Sequence, residues 1–146
     1  MTYMPDLTVA AERIARGDYT FANDTGAQGA YTIFTITGDV AISVFGIAKA
    51  SFTSGGAATI ELGVSGNTAI FIAQATATAL LVNEIWHDAT PTTTVESIIA
   101  ATNTGFIVSN GQDAIFTIGG ADLTAGTVHF YALWKPLSTD GNVVAA

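Results

Sequence analysis

The most constraining stretch of this sequence is residues 30–49, AYTIFTITGDVAISVFGIAK. Both halves are rich in β-forming residues, and the turn-forming residues Thr37, Gly38 and Asp39 separate them. In the second half, Val40, Ile42 and Val44 fall on one face. Because side chains point alternately to the two faces of a β-strand, each half is typical of a strand with one buried face. We therefore predict two strands joined by a hairpin or a corner, at the centre of a β protein. Gly46 interrupts the second half, which predicts a bulge or a close backbone approach there.

Other segments continue the same pattern. The clearest predicted strand is 127–135, TVHFYALWK, and Pro136 ends it because proline has no N–H to donate to a neighbouring strand. Asn110 and Gly111 predict a hairpin between strands at 106–109 and 114–118. Further strands are expected at 59–64, at 68–72 and from Leu80 into Trp86, while 51–57 is expected to be a loop. About eight short strands without a long helix fit a sandwich, a jelly roll or a closed barrel.

The N-terminal segment is predicted to be an arm (1–16) in front of a single β domain (17–146) that includes a short C-terminal tail. A cap at Asp6 or Thr8 and a stop at Gly17 favour a short helix over residues 9–15. The alternative is a strand that continues into 18–21. In either case the arm is a candidate for reaching a neighbouring subunit.

The charge balance limits the partners. The chain has 12 acidic and 4 basic residues, a formal net charge of −8, and only 11% charged residues in total. The basic residues are scattered along the sequence, whereas a nucleic-acid or anionic-membrane site needs them clustered, so both partners are disfavoured. No stretch of about 20 apolar residues and no secretory signal is found, so synthesis and folding in a cytoplasm are expected. Low charge suits a surface covered by partners; a Thr-rich solvent face is the alternative.

Catalytic and metal-binding motifs are weak. Glu84, His87 and Asp88 are the nearest approach to a ligand or acid–base cluster, but residues three apart in a strand point to opposite faces. The turn carboxylates at 39, 61, 113 and 122 lack EF-hand spacing and are expected to be solvated. The chain has no cysteine, and no nucleophile elbow or phosphate loop is present. We predict neither an enzyme nor a bound cofactor or metal.

Three aromatic residues, Trp86, Tyr131 and Trp134, fit a sugar-stacking platform. Aromatic side chains in alternating strands are more often core or subunit contacts, which is the interpretation favoured here.

The order of two motifs resembles a class of small tailed-bacteriophage virion proteins. The first motif is residues 34–46, an aromatic-led strand, a Gly turn and a second strand that leads to Gly46. The second is residues 125–146, AGTVHFYALWKPLSTDGNVVAA, a long aromatic strand followed by Pro-Leu, a polar turn and a terminus of small residues. The two motifs cover under a third of the chain.

The resemblance implies an all-β antiparallel sandwich of jelly-roll type and a head decoration, or cement, role. Such proteins sit outside the capsid as trimers or other oligomers, so the implied partners are the major capsid protein and further copies of the chain, and the implied location is the capsid surface. Candidate interface residues, in the arm and in the aromatic strands, are Tyr3, Met4, Ile14, Trp86, Tyr131 and Trp134. The alternatives are a tail or fibre module that binds host glycan and a small-ligand-binding β-barrel.

Overall fold

A computed structural model describes residues 12–91 and 105–146. Nearly all of the regular structure in these residues is β-strand. The strands are β1 (Arg13–Thr20), β2 (Gly29–Thr37), β3 (Val40–Ser54), β4 (Thr59–Val64), β5 (Asn67–Thr76), β6 (Ile85–Trp86), β7 (Phe106–Val108), β8 (Ala114–Gly119), β9 (Leu123–Pro136) and β10 (Asn142–Ala145). A one-turn helix, α1 (Phe21–Asp24), and a 3₁₀ turn (Ala77–Ala79) are the helical pieces of this part of the chain. Neither approaches the length that a membrane-crossing helix needs.

The strands form two five-stranded antiparallel sheets that face each other. Sheet A has the order β1-β9-β3-β6, with β7 also paired to β3, and sheet B has the order β10-β2-β8-β4-β5. Every connection crosses from one sheet to the other except β4–β5 and β6–β7. The order β1-β9-β3-β6 opposite β2-β8-β4-β5 is that of a jelly roll, to which β10 adds an edge strand. The predicted all-β sandwich is therefore confirmed.

One predicted hairpin is wrong as a pairing, although its turn is present, and at the other turn the corner alternative is correct. Gly38 has φ +60° and the chain does reverse, but β2 lies in sheet B and β3 in sheet A, so this connection is the corner and not the hairpin. Asn110 and Gly111 have φ of 63° and 66°, as a type I′ turn requires, yet β7 and β8 also lie in different sheets. Turn residues determine where the chain reverses, whereas the burial of both inner faces determines which strand each segment pairs with.

The segment before residue 17 also differs from the favoured prediction. Arg13–Thr20 form a strand that pairs with β9 from Arg13↔Trp134 to Thr20↔Thr127, so the helix is wrong over its described part and the strand alternative is correct there. About two helical turns are marginal without packing, whereas all eight residues of β1 pair with residues of the long strand β9. The rest of the predicted arm, residues 1–11, lies outside the described residues, as does the ambiguous segment at 95–101.

β3 is longer than its sequence pattern predicts. It runs to Ser54 through the stretch expected to be a loop, with register shifts against β9 after Ala48 and again after Ala50. Gly46, where a bulge or a close approach was expected, is fully paired, and a Cβ there would lie 2.8 Å from a Val128 methyl carbon. The close approach is thus confirmed, and the irregularity follows a few residues later.

The core lies between the two sheets and is centred on aromatic rings. Phe116 of sheet B contacts four rings that come from four different strands of sheet A. Ring-centroid distances from Phe116 are 4.8 Å to Tyr19, 5.6 Å to Phe130, 5.9 Å to Trp86 and 6.4 Å to Phe52. One side chain of sheet B therefore joins β1, β3, β6 and β9 across the sandwich.

Candidate interaction surface

The outward surface of sheet A is the most distinctive exposed feature of the fold. We call it the A face and define it by the outward-pointing residues of its three long strands. These are Ile14, Arg16 and Asp18 of β1, Ala41, Ser43, Phe45, Ile47 and Lys49 of β3, and His129, Tyr131, Leu133 and Lys135 of β9. Strict alternation of buried and accessible residues over 40–49 in β3 and 126–135 in β9 puts these side chains on one surface.

The strand register arranges the A face in rows that run across β1, β9 and β3. One row is Ile14, Leu133 and Ser43. The next row is Arg16, Tyr131 and Phe45, in which the rings of Tyr131 and Phe45 stack at 5.5 Å with an interplanar angle of 21°. The A face therefore has an aromatic and aliphatic centre.

The apolar character extends to the neighbouring strands. Ile85 of β6 pairs with Ile47, and Ile107 of β7 pairs with Ala41. Ile14 is 70% exposed and Ile107 is 74% exposed at opposite sides of the sheet. Large aliphatic side chains at this exposure, continuous with an aromatic centre, are typical of a surface that another molecule covers.

A polar group lies beside the aromatic pair. Arg16 donates two hydrogen bonds to Asp18, of 3.0 Å from Nε and 2.9 Å from Nη2, and its Nη2 is 3.1 Å from Nε2 of His129. A guanidinium has donors only, so Nε2 of His129 accepts and the ring proton lies on Nδ1. Burial lowers the pKa of His129, Asp18 raises it, and Arg16 and Lys49 lower it, with a net decrease from the usual value. The side chain of His129 is thus a neutral imidazole that lies between the positive charge of Arg16 and the negative charge of Asp18.

The basic residues of the chain are scattered in the sequence, but they all lie on sheet A. All four lie in its strands: Arg13, Arg16, Lys49 and Lys135. The same strands contain one acidic residue, Asp18, so this sheet is positive in a protein whose net charge is −8. Arg13 lies at the sheet edge, with its guanidinium carbon 5.2 Å from the centroid of the Trp134 ring.

Many acidic residues outside the sheets have a structural use in the turns. The carboxylates of Asp39, Asp113 and Asp122 each accept a hydrogen bond of 3.0 Å from a backbone N–H, those of Asn110, Ile36 and Gln28 respectively. Asp24 accepts one from Thr20 at 2.9 Å. Short acidic side chains that satisfy turn N–H groups explain a large part of the acidic excess without a bound cation. Within 12–91 and 105–146, no three His, Asp or Glu side chains are grouped to hold a metal ion.

The outward surface of sheet B contrasts with the A face. We call it the B face; its outward-pointing residues include Thr35, Thr37, Thr59, Glu61, Gln74, Ile115, Thr117 and Val144. Glu61 is the one charged residue in the strands of this sheet. The B face therefore has the Thr-rich composition of a solvent face.

The predicted interface residues separate into three groups. Ile14 and Tyr131 lie on the A face. Trp86 is fully buried and Trp134 is 4% exposed, so in this fold both pack in the core and neither offers area to a partner. Tyr3 and Met4 lie outside the described residues.

Several A-face residues were missed by the sequence analysis, although a signal for them exists. Leu133 and Lys135 alternate in phase with Tyr131 along β9, and Trp134 is out of phase with all three. A choice by aromatic type alone includes both Tyr131 and Trp134, although these side chains point to opposite faces of β9. Phe45 and Arg16 follow only from the pairing of β3 and β1 with β9, which no local pattern provides.

Two other features are a polar cluster of Glu84, His87 and Asp88, and a cavity between β5 and β7. Glu84 is 3% exposed, and its Oε2 accepts a 2.6 Å hydrogen bond from Leu81 N–H, so it holds the loop before β6. His87 Nδ1 lies 3.8 Å from Asp88 Oδ2. A cavity of about 200 Å³ lies between β5 and β7, lined mainly by Phe71, Phe106 and neighbouring aliphatic residues, and none of its described lining residues is titratable. The described lining of the cavity therefore has no acid–base group of the kind that catalysis requires.

Comparison with known proteins rests on the fold. No protein-family model and no curated protein matches the sequence. The fold is similar to a chain in the acidic stable capsid structure of Helicobacter pylori bacteriophage KHP30. The TM-score is 0.54 and the identity 8%, over 91% of this chain and 92% of the other. At that identity the similarity shows a shared fold over nearly the full length of both chains.

Proposed function

We propose that this protein is a structural component of a tailed-bacteriophage virion. In this role it is a head decoration protein that binds the outside of the capsid and stabilises it as a symmetric oligomer, most simply a trimer. The observation that carries the proposal is the full-length fold similarity to a chain of a phage capsid structure. The ordered pair of sequence motifs at 34–46 and 125–146 points to the same class of protein.

The surface chemistry supports a binding role. The A face combines exposed aliphatic residues with a stacked aromatic pair, and low overall charge leaves few hydrated groups to displace. A specific contact buries about 1,600 Å² in total, and many symmetric copies increase the effective affinity for a lattice.

The test has two parts. Mass spectrometry and immunogold labelling of purified virus particles should find the protein on intact heads. Purified protein mixed with capsids that lack it should bind in a fixed ratio to capsid subunits and should raise the temperature at which the heads open. Its absence from purified particles, or capsids with unchanged stability after binding, would contradict the proposal. Light scattering of the free protein measures the oligomer number independently.

A second candidate is a tail or fibre module that binds host glycan. The observation in its favour is the stacked Phe45–Tyr131 pair beside the Arg16, Asp18 and His129 side chains, since sugar sites combine an aromatic surface with adjacent hydrogen-bonding groups. A titration with host-surface oligosaccharides, followed by NMR, tests it. Saturable shifts confined to these residues, together with labelling of tails and not heads, would favour this candidate over decoration.

A further inference from the structure

We infer that the protein docks on the capsid through the A face, and that the capsid surface it contacts is an apolar patch bordered by carboxylates. This inference rests on the proposed function and adds to it the orientation of the molecule and the chemistry of its partner. The B face then points away from the shell.

The first argument is the distribution of charge. The strands of sheet A have four basic residues against one acidic residue, whereas the strands of sheet B have Glu61 alone. Every other part of the molecule is neutral or acidic, because all four Lys and Arg residues of the chain lie in the strands of sheet A. An acidic partner surface therefore attracts sheet A and repels the rest, which selects one orientation during approach.

The second argument is the distribution of apolar area. Tyr131, Phe45 and Leu133 form the centre of the A face, while Lys49 and Lys135 are exposed towards its two ends. This arrangement of an aromatic centre with a charged border is that of protein–protein contacts. It differs from a nucleic-acid site, where basic side chains lie along the path of the phosphates.

The third argument concerns a second copy of the chain. Two A faces brought together about a two-fold axis would place Lys49, Lys135 and Arg16 of each copy against a surface of the same sign. Asp18 is the one acidic side chain there, and it already pairs with Arg16 of its own chain. Like charges across a contact oppose association, so the A face fits a partner with carboxylates better than it fits itself.

The experiment compares two full-length variants that change the net charge equally. Lys49→Glu makes the charge of the A face more negative by two units. The double variant Thr35→Glu, Thr37→Glu subtracts the same two units from the B face, at exposed positions. A third variant, Tyr131→Ala, removes the centre of the apolar patch. Each is checked for folding by circular dichroism and for oligomer number by light scattering, and is then titrated onto capsids that lack the protein.

We expect Lys49→Glu and Tyr131→Ala each to weaken capsid binding by about tenfold or more, with the B-face double variant within about twofold of wild type. Binding of the wild type should weaken as salt rises, and the Lys49→Glu variant should show a smaller salt dependence.

The possible outcomes separate the inference from the proposed function. Wild type that fails to bind capsids contradicts the proposed function and the inference together. Wild type that binds, with the B-face variant weakened and the A-face variants unchanged, overturns the inference alone. If the A-face variants lose the oligomer and bind capsids poorly for that reason, the A face forms contacts between copies of the chain. That result would also overturn the inference. Retention of wild-type protein on a DNA oligonucleotide, lost in Lys49→Glu, would replace the protein partner with a nucleic acid.

Discussion

Phe116 offers the sharpest test of the sandwich, because it is the sheet B residue whose ring contacts four rings of sheet A. Phe116→Leu keeps the side chain apolar and close in size but removes the ring. All four centroid distances, 4.8 to 6.4 Å, fall within the range at which aromatic pairs interact. Each such pair contributes about 0.5–1.5 kcal/mol beyond area burial. Because the pairs share one ring they do not add fully, and we expect a loss of about 2–4 kcal/mol in the free energy of unfolding.

The control is the adjacent residue of the same strand. Ile115 points to the B face and is half-buried, so Ile115→Ala removes apolar atoms without touching the aromatic centre. We expect this variant to cost about 1 kcal/mol, below the range for fully buried aliphatic residues.

Urea unfolding at fixed protein concentration measures both variants. The fluorescence of Trp86, which is fully buried 5.9 Å from Phe116, reports directly on the core. The midpoint should shift while the m-value stays constant. Equal losses for the two variants, or a loss below 1 kcal/mol for Phe116→Leu, would refute the packing of the two sheets on this ring.

Three further predictions follow from local geometry. Gly17→Ala should destabilise the protein by about 1–3 kcal/mol, because the added Cβ would lie 2.6 Å from a backbone oxygen of β2, whereas Gly66→Ala, with open space around it, should be within about 0.5 kcal/mol of wild type. An NMR titration should place the pKa of His129 below 6.5, and Asp18→Asn should lower it further, since Asp18 opposes the lowering that burial and the nearby cations cause; an unchanged pKa in that variant would contradict the contact. Burial raises the pKa of Tyr19 to about 12, so the unfolded chain loses this proton near pH 10 before the native state does, and the free energy of unfolding should fall as pH rises from 10 to 12. Tyr19→Phe should show a smaller fall over the same window.

Local patterns in the sequence predicted the strands better than their partners. β9 was found with both faces correctly separated, because nine residues alternate without interruption before Pro136. Its partners β1 and β3 were not predicted, since Arg13 and Trp134 are 121 positions apart and no local signal links them. The same reason explains why the turn at Asn110 and Gly111 was taken for a hairpin.

The candidate site was predicted in part. Two of the predicted interface residues lie on the A face: Tyr131, which was chosen for its aromatic character, and Ile14, which was chosen for its place in the predicted arm. Ile14 reaches this face through the pairing of β1 with β9. Basic residues that are scattered in the sequence lie on one sheet only because β1, β3 and β9 are neighbours in it. A charge pattern produced by long-range pairing is invisible until the topology is known.

The pairing of β1 with β9 has a consequence for biosynthesis. Ribosomes add about 5–20 residues per second, so β1 waits on the order of ten seconds before Leu123–Pro136 exists to pair with it. During that time β3, which uses the other edge of β9, also lacks its main partner. Nascent chains on crowded polysomes therefore present two long unpaired edges, and lower expression temperature or chaperone supply should increase the soluble yield more than any change to the finished fold.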